Sequence, residues 1–342
     1  MIRRRLLGAP GFAFGAAAGL SAVLTLAACS QKPAPAAATN EIVFGILPAE
    51  NQASMGPLWQ PLLDDMAKQV GVKVDARFVS NYAGLIEAMR FKQVQMGWFS
   101  ALPALDAVQR SNGEVLGRVV DAGGEATYKS VLIVKKGSGI TLDKVMACGK
   151  KYSFGIGDPQ STSGTLAPMA YLFTPKGVDP TTCFKTVRSS SHQANSAAVA
   201  TGVLDVASNN TVGILFAKRE TPKIGNALDI IWTSPPLPES SIIVRKDVDP
   251  AIKEKMRQFF ITYGTGTGPV ADKQREVLKG LAYGGFRPAD DGYLDPVREM
   301  QAAVALADAR KTGDAAKVAA AQSAFDKIHA VAEQKRAKEP NI

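Results

Sequence analysis

The stretch IVFGILP at residues 42–48, with LWQPLLDDMAKQVG at 58–71 and VKVDARF at 72–78, decides the fold class. A short apolar run that ends at a proline is typical of a buried strand. The second stretch repeats apolar residues at helical spacing and stops at a glycine, and the third alternates as a strand does. Strand, helix and strand in this order predict parallel pairing through a crossover, and therefore an α/β fold.

The same alternation continues along the chain. It predicts helices at 82–91 and 101–110 and strands at 94–99, 115–120 and 130–134. A crossover at 135–139 precedes a second series, with strands at 152–156, 184–187, 205–207, 230–232 and 241–244 and helices after 164 and 193. From Pro250 the pattern is helical to the end, apart from breaks at 264–268 and 284–285.

Two α/β lobes joined by two crossings, with helices at the C-terminus, is the predicted organisation. At 342 residues, a single core stops growing and two domains are expected. The predicted segments are a signal peptide at 1–28, a tether at 29–40, a discontinuous first lobe at 41–134 and 238–290, a second lobe at 135–237, and a C-terminal helical extension at 291–342.

The composition is that of a globular protein, with 46% apolar and 21% charged residues. The formal charge is +9; without Arg3, Arg4 and Arg5, the remaining 37 basic residues exceed the 31 acidic ones by 6. A surplus of this size suits small anionic ligands and does not imply nucleic acid. With only two histidines and three cysteines, the chain has too few of these ligands for most His-rich or Cys-rich metal sites. No metal or cofactor is therefore expected.

The N-terminus has the pattern of a bacterial lipoprotein signal. Three arginines precede an uncharged apolar stretch that ends in Leu26-Ala27-Ala28-Cys29, where Cys29 is the expected lipidation site. The run is long enough to be a transmembrane anchor instead, but its many small residues and the Leu-Ala-Ala-Cys ending argue against that. The Pro- and Ala-rich residues 31–40 predict an extended tether that holds the folded part off a membrane.

Cys148 and Cys183 remain once Cys29 is lipidated. In an oxidising compartment beyond the inner membrane, these two cysteines can form a disulfide. The alternative is a pair of unbonded structural cysteines, and the residues alone favour neither.

Motifs of catalysis and nucleotide binding find no support. Gly264-Thr265-Gly266-Thr267-Gly268 follows a helix, whereas a dinucleotide loop follows a strand. The chain has no Walker loop, Gly-x-Ser-x-Gly, Cys-x-x-Cys or His-Glu-x-x-His. His329 lies in a polar helical stretch, where a solvated side chain is expected. We therefore do not expect an enzyme.

The stretch FGIGDPQSTSG at 154–164 carries the functional signal. A strand runs into a tight turn, then into three hydroxyl residues, Ser161, Thr162 and Ser163, and then into a helix. Hydroxyls and free N–H groups at a helix start bind anions. The alternative is an ordinary N-cap, but no Glu or Gln completes a capping box here. The three donors in succession favour an oxyanion site.

The sequence resembles the phosphonate-binding proteins of ABC importers over nearly the whole mature chain, and the order and spacing of the matching stretches agree from Glu41 to about Tyr263. The matching stretches are Asn81-Tyr82-Ala83-Gly84, Met89-Arg90-Phe91, Trp98-Phe99, Tyr128-Lys129-Ser130 through Val134, Gly157 through Gly164, Asp205 through Thr211 and Ile231 through Pro235. The resemblance implies a periplasmic-binding-protein fold of the second type, in which two lobes close over a small ligand and then dock on a membrane permease.

The resemblance also implies roles for individual residues. Ser161, Thr162 and Ser163 would hold the phosphonate oxygens, Tyr82 and Tyr128 would donate to the ligand, and His192 would reach the phosphonate from the second lobe. Judged alone, each tyrosine would be a core residue with its hydroxyl at the edge, and His192 a surface cap.

Two departures concern specificity. Family members that recognise 2-aminoethylphosphonate hold its ammonium with two acids, and the matching positions here are Val212 and Ser240. A buried ammonium without a carboxylate is costly. The sequence therefore predicts a preference for an unaminated anion such as an alkylphosphonate or phosphite, unless a shift in the turn brings the neighbouring Glu239 into play.

The sequence thus predicts the solute-binding component of an ABC importer, lipid-anchored in the periplasm, whose partners are a phosphorus oxyanion, a permease and its ATPase. The alternatives keep the fold with phosphite, phosphate or a sulfonate as ligand, or make the protein a sensory lipoprotein without transport.

Overall fold

The computed structural model describes residues 41–338, so the expected signal peptide, Cys29 and the tether lie outside the described residues. Thirteen strands occur in the described range. They are β1 (Glu41–Ile46), β2 (Lys73–Phe78), β3 (Met96–Phe99), β4 (Gly113–Asp121), β5 (Thr127–Tyr128), β6 (Ser130–Lys135), β7 (Ser153–Ile156), β8 (Thr186–Ser189), β9 (Val206–Asn210), β10 (Leu228–Thr233), β11 (Leu237–Pro238), β12 (Ser241–Arg245) and β13 (Tyr283–Arg287).

Twelve α-helices connect and follow these strands in the same range. They are α1 (Gln52–Val70), α2 (Tyr82–Arg90), α3 (Ala101–Arg110), α4 (Leu142–Met146), α5 (Pro180–Cys183), α6 (His192–Thr201), α7 (Thr211–Glu220), α8 (Pro222–Gly225), α9 (Pro250–Thr262), α10 (Pro269–Gly280), α11 (Asp295–Thr312) and α12 (Ala315–Lys338). Two π-helical segments, Thr162–Leu166 and Met169–Phe173, and two 3₁₀ segments, Thr174–Lys176 and Asp291–Leu294, complete them.

A six-stranded sheet of order β13-β4-β12-β3-β1-β2 forms what we call the first lobe. Strands β1, β2 and β3 are parallel, joined by α1 and α2 as the sequence predicts. Helix α1 begins where the Asn51 side chain accepts from the N–H of Ser54, and it ends at Gly71 with φ 77°. Its apolar face buries Trp59 and neighbours against the sheet, which makes this the larger core.

A five-stranded sheet of order β10-β6-β9-β7-β8 forms the second lobe. Strands β7, β8 and β9 are parallel, whereas β6 is antiparallel to both β9 and β10. Two apolar clusters cover its faces, one of them around the stacked rings of Phe154 and Phe184. This two-lobed α/β arrangement with C-terminal helices confirms the predicted fold class.

One expected boundary between the lobes is displaced. The sequence predicts residues 130–134 to lie at the end of the first lobe, but in the structure they form β6 inside the second sheet. The chain crosses earlier, at β5, which pairs with β11 on the returning crossing. Every residue of β6 from Ser130 to Val134 is buried. A fully apolar strand fits the interior of either sheet, so its hydrophobicity does not indicate which strands it pairs with.

After Pro250 the sequence predicts helices with breaks at 264–268 and 284–285, but the second break is part of a strand, β13 (Tyr283–Arg287), at the edge of the first sheet. The strand lies very close to β4, because a Cβ on Gly284 would stand 2.2 Å from the Asp121 carbonyl oxygen. After it, α11 packs against α3, β11 and both π-helical segments, and α12 packs on α11. Within residues 41–338, no helix combines the length and apolar character that a membrane span requires.

Cys148 and Cys183 are joined by a disulfide, so the first of the two alternatives for these residues holds in the structure. The bridge closes a loop with a sequence separation of 35 residues and packs into the apolar cluster of the second lobe.

Candidate functional site

A cavity of about 60 Å³ lies between the two lobes. Tyr82, Trp98 and Tyr283 contribute its wall from the first lobe, and Ser161, Ser163, His192 and Asn210 from the second. Tyr128, on the crossing strand β5, closes the wall between them. A water needs roughly 10–15 Å³ of such space, so the cavity has room for a ligand of a few heavy atoms.

The hydroxyl turn after β7 forms the floor of this cavity. The Ser161 hydroxyl caps the helical segment by accepting from the N–H of Gly164 at 2.9 Å. The turn is tight because the N–H of Gly157 donates to the Gly164 carbonyl at 2.9 Å, and a Cβ on Gly157 would lie 2.6 Å from the Gly164 Cα. The N–H groups of the first helical turn are left free of intrahelical partners, which is the arrangement that binds anions.

Ser163 lies at the centre of a buried polar cluster. The Asn210 side-chain amide donates to the Ser163 hydroxyl at 3.1 Å, and His192 Nε2 lies 3.4 Å from the same oxygen. Burial lowers the pKa of His192 to about 4, so the ring is neutral at physiological pH. Its Nδ1 atom is buried with no hydrogen-bond partner among the described residues.

The two predicted tyrosines reach the hydroxyl turn from the other side. The Tyr82 hydroxyl is hydrogen-bonded to the Ser161 side chain, and the Tyr128 hydroxyl to the side chains of Ser163 and Thr162. Burial raises the pKa of both phenols well above their usual value, so both stay protonated and can donate.

Thr162 is placed differently from its two neighbours. Its hydroxyl accepts from the N–H of Leu102 at 2.8 Å and lies 3.4 Å from the Ser100 hydroxyl, so it faces the start of α3 in the first lobe. Thr162 is fully buried and is not part of the cavity wall. The structure thus brings Tyr82, Tyr128, Ser161, Ser163 and His192 around one cavity and leaves the Thr162 hydroxyl bridging the lobes.

Val212 and Ser240 both line the cavity, and two carboxyl groups line it with them. Glu239 is 4% exposed; burial, together with the charge of Asp121, raises its pKa to about 7 against a hydrogen bond from the Ser240 N–H. Glu50 is partly buried, and burial raises its pKa to about 8 although the Gln193 N–H donates to it. The cavity therefore contains acids despite the apolar Val212 and the neutral Ser240.

Several wall residues were not assigned a role from the sequence. Asn210 and Trp98 occur in stretches that carry the family resemblance, but nothing local marks their side chains as functional. The indole Nε1 of Trp98 is buried without an acceptor among the described residues. Glu50 had a usable signal, since it follows the carboxyl end of β1, the edge of a parallel sheet where ligands bind.

No lysine or arginine belongs to the wall, as far as the described residues show. The donors are neutral: serine and tyrosine hydroxyls, an amide, and the N–H groups of a helix start. Such a set can surround a small oxyanion without a fixed counter-charge. A two-lobed α/β fold closed on a polar cavity of this kind defines a solute-binding protein.

Comparison with known proteins identifies the family. The chain belongs to the phosphonate-binding periplasmic substrate-binding proteins of ABC transporters, whose family model matches residues 44–294. It is 40% identical over 258 residues to the phosphonates-binding periplasmic protein of Escherichia coli K12, covering 75% of each chain. It is 28% identical over 261 residues to a phosphate-import protein of Mycolicibacterium smegmatis, covering 72% of this chain and 80% of the other.

Solved structures agree with this assignment. The binding component of a phosphonate ABC transporter from Pseudomonas aeruginosa superposes with a TM-score of 0.81 at 34% identity, covering 86% of this chain and 99% of the other. A Prochlorococcus marinus protein in complex with methylphosphonate shares the fold, with a TM-score of 0.68 at 20% identity over 77% of this chain and 97% of the other.

Proposed function

We propose that this protein captures a phosphonate, or a closely related phosphorus oxyanion, in the cavity between its lobes and delivers it to an ABC permease with its ATPase. The observation that carries the proposal is the convergence of Ser161, Ser163, Tyr82, Tyr128 and His192 on one enclosed space. A phosphonate has three oxygens to satisfy, and this wall offers hydroxyl, N–H and ring donors. No base, nucleophile and metal arrangement for catalysis is needed in this role.

In this proposal Ser161, Ser163 and the N–H groups at the start of the helical segment bind the oxygens. The phenols of Tyr82 and Tyr128 donate to the same group, and a ligand oxygen can also accept from the buried Trp98 Nε1. Thr162 contributes through its backbone, since its hydroxyl lies outside the cavity wall, where it accepts from the N–H of Leu102 and lies near the Ser100 hydroxyl. Burial of these neutral donors makes each hydrogen bond to the anion stronger than it would be in water.

Val212, Ser240 and Glu239 are the proposed specificity positions. The preference for an unaminated anion that the sequence predicts rests on the absence of an acid at the first two positions. Glu239 now supplies a buried carboxyl at the cavity, and no described cation pairs with it there. A ligand ammonium would give this carboxylate its counter-ion, so we propose that aminated phosphonates are accepted as well as methylphosphonate.

We further propose that Cys29 is lipidated after removal of residues 1–28, and that residues 29–40 tether the protein to a membrane facing the periplasm. The Leu26-Ala27-Ala28-Cys29 pattern supports this. Metabolic labelling with a fatty acid analogue tests it, with Cys29→Ala as the control that should lose the label.

The experiment that tests ligand capture is a thermal-shift series on the purified, ligand-free protein with aminoethylphosphonate, methylphosphonate, phosphite, phosphate and sulfate. A ligand at a hundred times its Kd stabilises by about 2.7 kcal/mol, which raises the Tm by several degrees. A shift with a phosphonate supports the proposal. If only phosphate, phosphite or sulfate raises the Tm, the protein is still a solute-binding protein, but its ligand is that anion and not a phosphonate. If none of the five raises the Tm, capture of a phosphorus oxyanion is refuted.

A further inference from the structure

Outside the ligand cavity, the two lobes face each other across an open groove of about 710 Å³. Helix α1 of the first lobe forms one side, and α6 and α7 of the second lobe form the other. Glu50, Met55, Gly213 and Phe216 belong to both the groove and the cavity, so the groove is the outer mouth of the binding site. Polar contacts bridge the two lobes at two places beside this mouth.

The first contact, which we call the Gln193 clamp, joins the start of α6 to the start of α1. The Gln193 side-chain oxygen accepts from the Asn51 side-chain amide at 2.5 Å and from the Asn51 N–H at 3.2 Å. Its side-chain nitrogen lies 3.5 Å from the Ser54 hydroxyl. The backbone N–H of Gln193 donates to the Glu50 carboxyl. Four polar contacts of one residue therefore cross between the lobes.

The second contact, the Arg219 clamp, joins the end of α7 to the end of α10. The guanidinium donates to the carbonyl oxygens of Lys279 at 3.3 Å and Gly280 at 2.7 Å. The last carbonyls of a helix carry partial negative charge, so a cation is favoured there. Arg219 is held in place by the Glu220 carboxylate at 2.6 Å and by the Phe216 ring, whose centroid lies 4.6 Å away.

Neither Gln193 nor Arg219 lines the cavity, yet each is adjacent to a residue that does. Gln193 follows His192 in the chain, and Arg219 stacks on Phe216. The two carbonyl groups that accept from Arg219 belong to Lys279 and Gly280, which directly precede the cavity-wall residues Leu281 and Tyr283. These bonds exist only while the lobes are together, so they stabilise the closed form without touching the ligand.

From this geometry we propose that Gln193 and Arg219 are positioning residues that hold the lobes closed and thereby set how long a bound ligand is retained. This inference rests on the proposed function of ligand capture. Because the clamps act on opening alone, their loss raises the dissociation rate of every ligand by the same factor. The preference between ligands, which the cavity wall sets, stays unchanged.

The test is stopped-flow intrinsic tryptophan fluorescence, to which Trp98 of the cavity wall contributes, with methylphosphonate and with aminoethylphosphonate, in the wild type, Gln193→Ala, Arg219→Gln and the double variant. Gln258→Ala and Lys218→Gln are matched controls, since each makes the same chemical change without a described interlobe contact. We expect each clamp variant to raise the dissociation rate about threefold to tenfold for both ligands, from the loss of one or two net hydrogen bonds. The double variant should give roughly the product, with the controls at wild-type rates.

Dissociation rates that match the controls, or a change for one ligand only, would overturn the clamp role. If Arg219→Gln and Lys218→Gln raised the dissociation rate equally, and this effect disappeared at high salt, the clamp role would also be overturned. The effect would then come from long-range attraction between the ligand and the positive charges. A wild type that binds neither phosphonate refutes the proposed function itself, and the retention role with it. We expect the unfolding free energy of the ligand-free variants to equal that of the wild type. This control distinguishes a weaker closed form from a less stable fold.

Discussion

Glu239 provides the sharpest test of the site, because its carboxyl is buried in the cavity wall and has no cationic partner among residues 41–338. Burial, and to a smaller extent the charge of Asp121, raises its pKa from the ordinary 4.5 to about 7. Tyr128, Tyr283 and Tyr293 lie close enough for its charge to raise their own pKa values. We consider the substitution Glu239→Gln, which keeps the shape and removes the ionisation.

The sign of the effect follows from proton linkage. Between pH 4.5 and about 7 the folded state keeps a proton on Glu239 that the unfolded state has released. Ionisation of Glu239 therefore leaves the unfolding free energy unchanged well below pH 4.5. It lowers the unfolding free energy as the pH rises from there toward 7. A displacement of this size corresponds to roughly 3 kcal/mol of lost unfolding free energy above pH 7, at 1.36 kcal/mol for each pKa unit.

The assay is urea unfolding of the ligand-free wild type and Glu239→Gln at pH 5, 6, 7 and 8. The difference in unfolding free energy between the two proteins, followed against pH, isolates the contribution of Glu239. Other groups with shifted pKa values, such as His192 and Glu50, are present in both proteins, so their contributions cancel. We expect the unfolding free energy of the variant to rise by about 2.5 kcal/mol relative to that of the wild type between pH 5 and pH 8. The exposed Glu276→Gln is the matched control and should show no such gain.

A constant difference across this pH range would refute the reasoning, since it would mean that the Glu239 carboxyl ionises as it does in water. The ligand-bound protein gives an independent check. If the ammonium of aminoethylphosphonate pairs with this carboxylate, Glu239→Gln should weaken that ligand about tenfold or more, while methylphosphonate is bound as before. Equal changes for both ligands would show that Glu239 does not face the ligand's amino group.

Three further substitutions probe other parts of the molecule. Ser163→Ala removes a hydroxyl from the cavity, and isothermal titration should show methylphosphonate binding weakened by about 10-fold to 100-fold; an unchanged Kd would remove Ser163 from the site. Gly157→Ala places a methyl group 2.6 Å from the Gly164 Cα, so chemical unfolding should show a loss of about 1–3 kcal/mol together with weaker ligand binding, and intact binding would contradict the role of this turn. Replacing both Cys148 and Cys183 by serine opens a loop of sequence separation 35 and should cost about 3–4 kcal/mol in the same assay without altering the Kd, because the bridge lies in the apolar cluster of the second lobe; a changed Kd would couple that cluster to the cavity.

Much of the fold could be predicted because its signals are local. The apolar run of β1, the helical spacing in α1 and the stop at Gly71 are properties of neighbouring residues, and the structure agrees with them. The hydroxyl turn at Ser161 is also local, since a strand, two glycines and three hydroxyl residues specify it within eleven positions. The β-strand at Tyr283–Arg287 was missed because its stability comes from pairing with β4, about 160 residues earlier, and not from its own sequence.

The site shows the same division. The sequence by itself determined the α/β class, the order of the lobes along the chain, and the hydroxyl turn that follows β7. Only the tertiary structure decided that β6 belongs to the second sheet, that the Thr162 hydroxyl binds across to the N–H of Leu102, and that Glu239 and Glu50 come to the cavity. These facts depend on which surfaces meet when two lobes close, and such contacts join residues far apart in sequence, where no local pattern records them.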